Sequence, residues 1–392
     1  MKKNSAILGA AFLMATSAIG PGFLTQTAQF TSDLLTSFGF VILATFLLDV
    51  GTQVNIWRII TVSNKRAQDI ANELIPGLGI ALACLIGFGG LVFNIGNIAG
   101  CGLGFEALLG INPYTGAIIS CIVALGIFWY KEAGLLMDQF SKVLGILMIG
   151  FTLYIAFVSN PPVVQSLYRT VWPEKIDVFK IVTLVGGTVG GYISFAGAHR
   201  LLDAGISGQH SVKEATRSSI SGIVITSVMR IVLFLAALGV VWHGGILNPK
   251  NPAGSVFVFA AGNLGLRFFG FVMWCAAITS VVGASYTSVS FFKTLHPYIE
   301  KNQRYIISLF IVAATLLFIF LGNPVLLLIL AGALNGVILP IALAVILKAG
   351  TKKKIVGNYI HPAWLQIIGW LVVLAMSWMG VITIISSLHR IG

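Results

Sequence analysis

The chain has 392 residues, 57% of them hydrophobic and 9% charged, with 24 Lys and Arg against 12 Asp and Glu, and its mean hydropathy is +0.96. Soluble domains carry about 25% charged residues, so this composition excludes a water-exposed globule and requires a lipid bilayer as the surrounding medium. At roughly 30 residues for each span with its connection, the length holds about ten to thirteen spans and no sizeable soluble domain. No GxxxxGK[ST] loop occurs, which argues against ATP-driven transport by this chain alone.

Taken in chain order, a window of about 19 residues predicts eleven apolar helices, at 6–31, 36–60, 77–109, 113–131, 136–158, 180–203, 217–243, 268–292, 305–321, 324–348 and 362–388. The third is long enough to demand a tilt or a kink. Lys2 and Lys3 precede the first, and Ala15-Thr16-Ser17-Ala18 resembles a signal-peptide cleavage site. The apolar stretch continues past it, so a retained first helix is expected. Cys84, Cys101, Cys121 and Cys275 lack CxxC spacing and lie in apolar runs, where they read as small packing residues. The segment 159–179, with two adjacent prolines and Trp172, is the longest connection, and 244–267, with Pro249 and Pro252, is expected to hold an interfacial helix.

The positive charge sorts by membrane side. With the N-terminus in the cytoplasm, the inner segments carry Lys2, Lys3, Lys65, Arg66, Lys131, Lys142, Arg200, Lys213, Arg217, Lys293, Lys301, Arg304, Lys348 and Lys352–Lys354. The outer ones carry Arg169, Lys175, Lys180, Lys250, Arg267 and Arg390. This is the positive-inside bias. It accounts for the basic composition without nucleic acid, and it predicts a multi-pass protein of the cell (inner or plasma) membrane.

Two spans read as broken within the bilayer, where unpaired peptide groups are tolerated only around a cavity or inside packed protein. In the first, Gly20-Pro21-Gly22 interrupts the run, and the continuation through Thr25, Gln26, Thr27, Gln29 and Thr31 is too polar for lipid. In the sixth, Gly186-Gly187 and Gly190-Gly191-Tyr192 precede Ser194, Gly197, His199 and Arg200. The two lie five spans apart. An odd offset makes two five-helix units enter the membrane in opposite directions, and broken helices at matching positions of such repeats point to a secondary transporter's midplane site. The expected organisation is a first repeat over 1–158, an external loop over 159–179, a second inverted repeat over 180–349, and a basic cytoplasmic loop with an eleventh helix over 350–392.

The residues at these positions resemble the NRAMP family, the natural resistance-associated macrophage proteins. Ser17-Ala18-Ile19-Gly20-Pro21-Gly22-Phe23 is similar to that family's Asp-Pro-Gly-Asn break in the first helix, and Ala198-His199-Arg200-Leu201 to the Pro-His-Asn-Leu after its sixth-helix methionine. Leu339-Pro340-Ile341-Ala342, followed by Lys352-Lys353-Lys354 and Gly357, resembles the tenth helix and its basic end. Gly283-Ala284-Ser285-Tyr286-Thr287-Ser288 has the small and hydroxyl character of the eighth. The resemblance covers most of the chain. It implies the LeuT-type five-plus-five inverted repeat with an extra helix, and proton-coupled import of divalent transition metals.

The departures fall on the metal site. Where the resemblance would place the ligating Asp, Asn and Met, this sequence has Gly20, Phe23 and Gly197, and only His199 is matched. In the third helix, where the family carries acidic residues, this chain has Asn94 and Asn97. A glycine carbonyl and a phenyl ring do not replace a carboxylate and a thioether around a divalent ion. In place of the lost negative charge stands Arg230, near the centre of the seventh helix. An Arg there costs about 2.5–3.5 kcal/mol on insertion scales and faces a cavity or a counter-ion. Two readings are open: a structural pair with an intramembrane acid such as Asp49, or a guanidinium fork for a substrate carboxylate.

Gln26, Gln29 and Asp33 share one helical face, consistent with an external vestibule or with packing. Glu106 is a further rare acid near the end of the third helix. Asn335 resembles a polar residue of the family's tenth helix. His199 and Asp203, at i and i+4, are expected to meet on one face and, with Asp49, to be proton-coupling candidates. The same HxxxD spacing is the feature a membrane acyltransferase would need. A channel is the further alternative.

The sequence thus predicts an all-α secondary transporter working by alternating access. Its substrate-binding residues are expected among Gly20, Pro21, Gly22, Phe23, Gln26, Gly190, Gly191, Tyr192, Ser194, Gly197, Arg230 and Asn335. Protons are the coupling partner, and no cofactor, resident metal, enzymatic activity or obligate protein partner is expected. The favoured cargo on the residues alone is a small organic anion or amino-acid-derived carboxylate; the alternative is a divalent cation such as Mn, Fe or Mg.

Overall fold

Helices begin in this chain where Asn, Asp or Pro precedes an apolar run. In the computed structural model, which describes residues 2–130 and 146–388, Asn112, Asp177, Asn251 and Asn323 each accept a backbone N–H at a helix start, and Pro113, Pro252 and Pro324 fill the first turn. A side-chain oxygen there satisfies an orphaned donor, and proline's missing N–H is no loss. The helices are α1 (Lys2–Ala18), α2 (Pro21–Leu34), α3 (Phe38–Ser63), α4 (Ala67–Leu74), α5 (Leu78–Leu109), α6 (Pro113–Trp129), α7 (Ile146–Val158), α8 (Val163–Val171), α9 (Val178–Val189), α10 (Ile193–Asp203), α11 (Val212–Trp242), α12 (Pro252–Lys293), α13 (Pro297–Lys301), α14 (Gln303–Leu321), α15 (Pro324–Ala349), α16 (Lys353–Val356) and α17 (Ala363–Leu388).

Among the described residues there is no strand, and eight helical segments are long and apolar enough to cross a membrane, against the eleven spans expected. The difference has local causes. The first expected span is divided into α1 and α2, the fourth is the 17-residue α6, and the fifth, expected at 136–158, lies partly outside the described residues, as do Lys131, Lys142 and Arg390. The third span is neither broken nor capped midway. Its 32 residues are longer than the hydrocarbon needs, which leaves tilt as the accommodation. α12 begins at Pro252 and kinks at Ala261 and Gly262 (φ 55), so the helix expected in 244–267 is present as the first segment of α12. Two short helices go unsignalled by the sequence: α8, at 105° to α7 inside the 159–179 connection, and α4, whose first residue touches the site.

Two groups of spans pack separately. α5, α6, α12 and α14 contact one another, whereas α1, α3, α10 and α11 form a second group, with α2 and α9 between them and α15 laid along α9 and α5. The tightest approach uses two glycine pairs four residues apart. A Cβ on Gly186 would fall inside the Gly332 carbonyl, and Gly336 meets the Val182 carbonyl, so α9 and α15 touch backbone to backbone in the small-xxx-small manner of membrane helices. The broken sixth span is the most enclosed element: its apolar window within Val178–Asp203 is entirely buried. Cys101, Cys121 and Cys275 are buried as expected, while Cys84 is exposed on the outer face of α5.

Candidate functional site

The first break falls at Ile19 and Gly20. Gly20 is extended (φ −107, ψ −171) with no side-chain cap, and Pro21 opens α2. Beside Gly20 stand Asn97 of α5 and Ser280 of α12: a Cβ on Gly20 would lie 3.5 Å from Asn97 Oδ1 and 3.5 Å from Ser280 Oγ. Asn97 Nδ2 and Ser280 Oγ are buried without a hydrogen-bond partner. The Ser280 role goes unsignalled by a sequence rich in serine, whereas Asn97 stands out as an intramembrane amide.

The second break spans residues 190–192, the Gly190-Gly191-Tyr192 run, and Ser194 and Gly197 already belong to α10. Gly191 has φ 52, a conformation that favours glycine. Asn335 fills the gap. Its Nδ2 donates to the Gly89 carbonyl at 3.0 Å and to Ala331 at 2.9 Å, and its Oδ1 lies where a Cβ on Gly191 would be. The Ser194 hydroxyl donates across the break to the Val189 carbonyl, and Trp57 Nε1 donates to the Ser194 carbonyl at 2.8 Å. Tyr192, 1% exposed, packs edge-on to Phe93 with its hydroxyl toward Asn97, which links the two breaks.

Arg230 is the second link. It is 4% exposed, its Nη1 donates to Thr188 Oγ1 at 3.0 Å in the last turn of α9, and its guanidinium carbon sits 4.4 Å from the centre of the Phe23 ring in the first turn of α2. Nε and Nη2 have no partner. Asp49, 1% exposed in α3, is the opposite charge acting on it, without a direct ion pair. Arg230 therefore contacts both broken spans, Thr188 at the end of α9 and Phe23 at the start of α2. Gln26 lies one turn above: its Nε2 donates to the Leu328 carbonyl at 2.9 Å, and its Oε1 is buried without a partner. Gln29 donates to Asp33 at 3.0 Å, and Lys180 of α9 reaches Asp33 at 3.2 Å, tying the last turn of α2 to the first turn of α9. An apolar cavity of about 290 Å³, lined in part by Ile19, Met229 and Thr279, flanks the first break.

The expected His199–Asp203 pair does not form. Asp203, at the exposed end of α10, instead binds Arg66 at 2.7 Å, a charged donor that outcompetes a buried imidazole for a carboxylate. His199 accepts a hydrogen bond from the Ala67 N–H of α4 at 3.3 Å and packs between Phe195 and Phe291; its Nδ1 is buried without a partner. The HxxxD constellation that an acyltransferase would need is thus not assembled. Gly197 is next to Trp57: a Cβ there would overlap the indole and lie 3.0 Å from the Ala10 carbonyl. The indole occupies the room that the family's methionine would need, an exchange with no signal in the sequence. Among the described residues, no three His, Cys, Asp or Glu side chains gather as a metal site.

Toward the C-terminal end of α3, His361 anchors a network. Its Nε2 meets Asn55 Oδ1 at 2.7 Å, and because Asn55 Nδ2 is spent on Gly51 and Leu365, Nε2 is the donor. Nδ1 is then left to accept from the Tyr359 hydroxyl at 3.2 Å, which itself accepts from Arg58 Nε at 3.0 Å. Burial and the nearby Arg58 guanidinium hold His361 down to about 4.

Two broken helices packed at their breaks within a two-group helical bundle define a LeuT-fold membrane transporter. The family described as natural resistance-associated macrophage protein-like matches residues 11–386, and the chain belongs to it. It is 59% identical over 387 residues to the uncharacterized membrane protein YcsG of Bacillus subtilis, covering 99% of this chain and 96% of that one. It is 58% identical over 384 residues to an uncharacterized membrane protein of Haemophilus influenzae, covering 98% and 97%. Among solved structures, the Eremococcus coleocola manganese transporter bound to an aromatic bis-isothiourea substituted compound superposes with a TM-score of 0.73 at 15% identity, over 97% of this chain and 86% of that one. MhsT in complex with L-phenylalanine superposes at 0.61 and 14% identity, over 97% and 98%. These likenesses bear on the fold.

Proposed function

We propose that the solute crosses between the two breaks by alternating access, the group of α1, α3, α10 and α11 rocking with α2 and α9 against α5, α6, α12 and α14. The observation that carries this reading is Arg230 bridging Phe23 and Thr188, because one side chain senses both breaks. The repeat boundaries at 158 and 180, a cytoplasmic N-terminus, a place in the cell membrane, and protons as the coupling ion belong to the same proposal, with Asp49 and His199 as the buried titratable groups.

For the cargo we favour a divalent metal cation. The family and the manganese transport of its solved neighbours support it. The groups beside the first break are neutral: the Asn97 amide, Ser280 Oγ and, a turn above, Gln26 Oε1. Such groups suit an ion that keeps part of its water shell, as Mg²⁺ does. One observation favours the second reading, a small carboxylate: Arg230 presents unpartnered Nε and Nη2 beside Phe23, a position where the resemblance leads one to expect a ligand. A guanidinium repels a divalent ion and forks a carboxylate.

Arg230→Ala alone would leave Asp49 buried without its opposite charge, so the test uses Arg230→Gln with Asp49→Asn, which removes both charges together. In proteoliposomes, saturable Mn²⁺ or Mg²⁺ uptake that persists or rises in this double variant is the expected result. Absence of metal uptake, with accumulation of a carboxylate that the double variant abolishes, would overturn the metal reading in favour of the second.

A further inference from the structure

One face of α11 changes character along its length. Lys213 and Arg217 are exposed at its first turns, and Ile220, Val224, Val228 and Ile231 continue the same face, with exposures of 38%, 42%, 52% and 45%. The spacings of three and four residues put all six on one helical stripe. The antiparallel neighbour α3 forms the other wall.

Concavities mark both ends of this stripe. At the basic end lies a groove of about 660 Å³, walled by Arg58 of α3 and by His210, Lys213, Thr216 and Arg217. Arg58 is held there by bonds to Thr216 Oγ1 at 3.2 Å and to the Tyr359 hydroxyl at 3.0 Å, so one guanidinium is already fixed before any ligand arrives. Further along, between α3, α8 and α11, lies an apolar crevice of about 370 Å³ that includes Val224, Val228 and Ile231. At 1.5 Å per residue, Ile220 and Val224 lie about 5 and 10 Å beyond Arg217 along the axis, within a leaflet about 15 Å deep, whereas the crevice walled by α8 lies beyond it.

We propose that this face binds one anionic phospholipid, its headgroup phosphate in the groove of Arg58, Lys213 and Arg217 and an acyl chain along Ile220 and Val224. Charge complementarity selects the headgroup: three basic side chains surround a groove at the level where a membrane presents phosphates. Because α3 and α11 belong to the group that also holds Trp57, Asp49 and Arg230, the lipid rests on that group and on none of the α5–α6–α12–α14 helices. The proposal is independent of the cargo.

The test is thermal unfolding of the full chain in a neutral detergent, titrated with phosphatidylglycerol, phosphatidylcholine or inorganic phosphate. Long-chain phosphatidylglycerol is expected to raise the melting temperature saturably, phosphatidylcholine and phosphate not to. Each basic side chain near a lipid surface is worth about fivefold in affinity, so Lys213→Ala with Arg217→Ala should weaken the effect about thirtyfold. Both positions are exposed, and their removal leaves the fold intact. Dihexanoyl phosphatidylglycerol should bind more weakly than the dioleoyl form. Equal stabilisation by phosphate, equal binding of short and long chains, or a response unchanged in the double variant would each overturn the proposal.

Discussion

The two breaks solve the same problem in opposite ways. At residues 190–192 the protein fills its own gap: Asn335 plugs it from α15, the Ser194 hydroxyl caps Val189, and Trp57 holds the Ser194 carbonyl. At residues 19–20 the gap has no such filling; Gly20 carries no cap, Asn97 Oδ1 and Ser280 Oγ face it, and Asn97 Nδ2 and Ser280 Oγ have no partner. Buried polar atoms without partners are costly and rare. Asn335 Oδ1 is itself unpartnered beside Gly191, so the contrast lies in closure: on the reading proposed above, the open first break is where a solute is met and the densely packed second one is a hinge seat. Arg230 reads both, since it holds Thr188 on the closed side and lies over Phe23 on the open one.

The sharpest way to break this contrast is Gly191→Ala. A left-handed backbone costs an alanine about 1–2 kcal/mol, and the new methyl would displace Asn335, adding about 1–3 kcal/mol of overpacking. A fall of about 2–5 kcal/mol in unfolding stability is expected, measured by denaturation in detergent; an unchanged melting curve would mean the second break is looser than its contacts imply. Next in size is Gly197→Met, which restores the side chain that the family resemblance leads one to expect. Here Trp57 already occupies the space, and a loss of about 1–3 kcal/mol follows. In a Trp57→Ala background the same substitution should cost little, and that coupling between neighbours is the measurement.

A smaller effect is expected from acid. The second break leans on Trp57 of α3, and α3 is tied down one turn away by His361 through Asn55. Because folding holds His361 down to about 4 from its ordinary 6.5, the neutral ring stabilises the fold fully above 6.5. That contribution is lost as the pH falls from 6.5 toward 4. The protonated ring can no longer accept from Tyr359, so the melting temperature should drop across this window. His361→Gln should flatten the slope, and a slope that persists in the variant would assign it to other groups.

Much of this was open to sequence reasoning, and the reasons for the rest are specific. Glycine on both sides of a proline, followed by a polar run, marks the first break where Pro340 alone leaves α15 continuous, and a lone Arg in the middle of the seventh span announces a counter-ion or a cavity by its cost alone. What the chain hides are partnerships over long separations. Asp203 is four residues from His199 but takes Arg66, 137 residues away; local spacing says which groups can meet, and competition among charges decides which do. Trp57 beside Gly197 is hidden for a similar reason: a glycine's neighbour is a matter of packing, and one more aromatic in an apolar helix carries no mark. The short α4 and α8 escape because each, though strongly amphipathic, is too brief and too polar to register in a window of about 19 residues.

The smallest expected change in stability is the one that says most about function. Gly20→Ala adds a methyl with 3.5 Å of room on both sides, ordinary van der Waals contact, at a residue whose extended backbone any amino acid adopts. Stability should shift by less than about 1 kcal/mol, within the range of a tolerated substitution. The methyl nevertheless enters the polar gap between Asn97 and Ser280. If the solute is met there, uptake should fall severalfold with the melting temperature held, whereas an equivalent methyl at the second break would cost stability first. Unimpaired transport by a stable Gly20→Ala protein would mean that the open polar atoms of the first break serve some other purpose, and the contrast between the breaks would lose its functional sense.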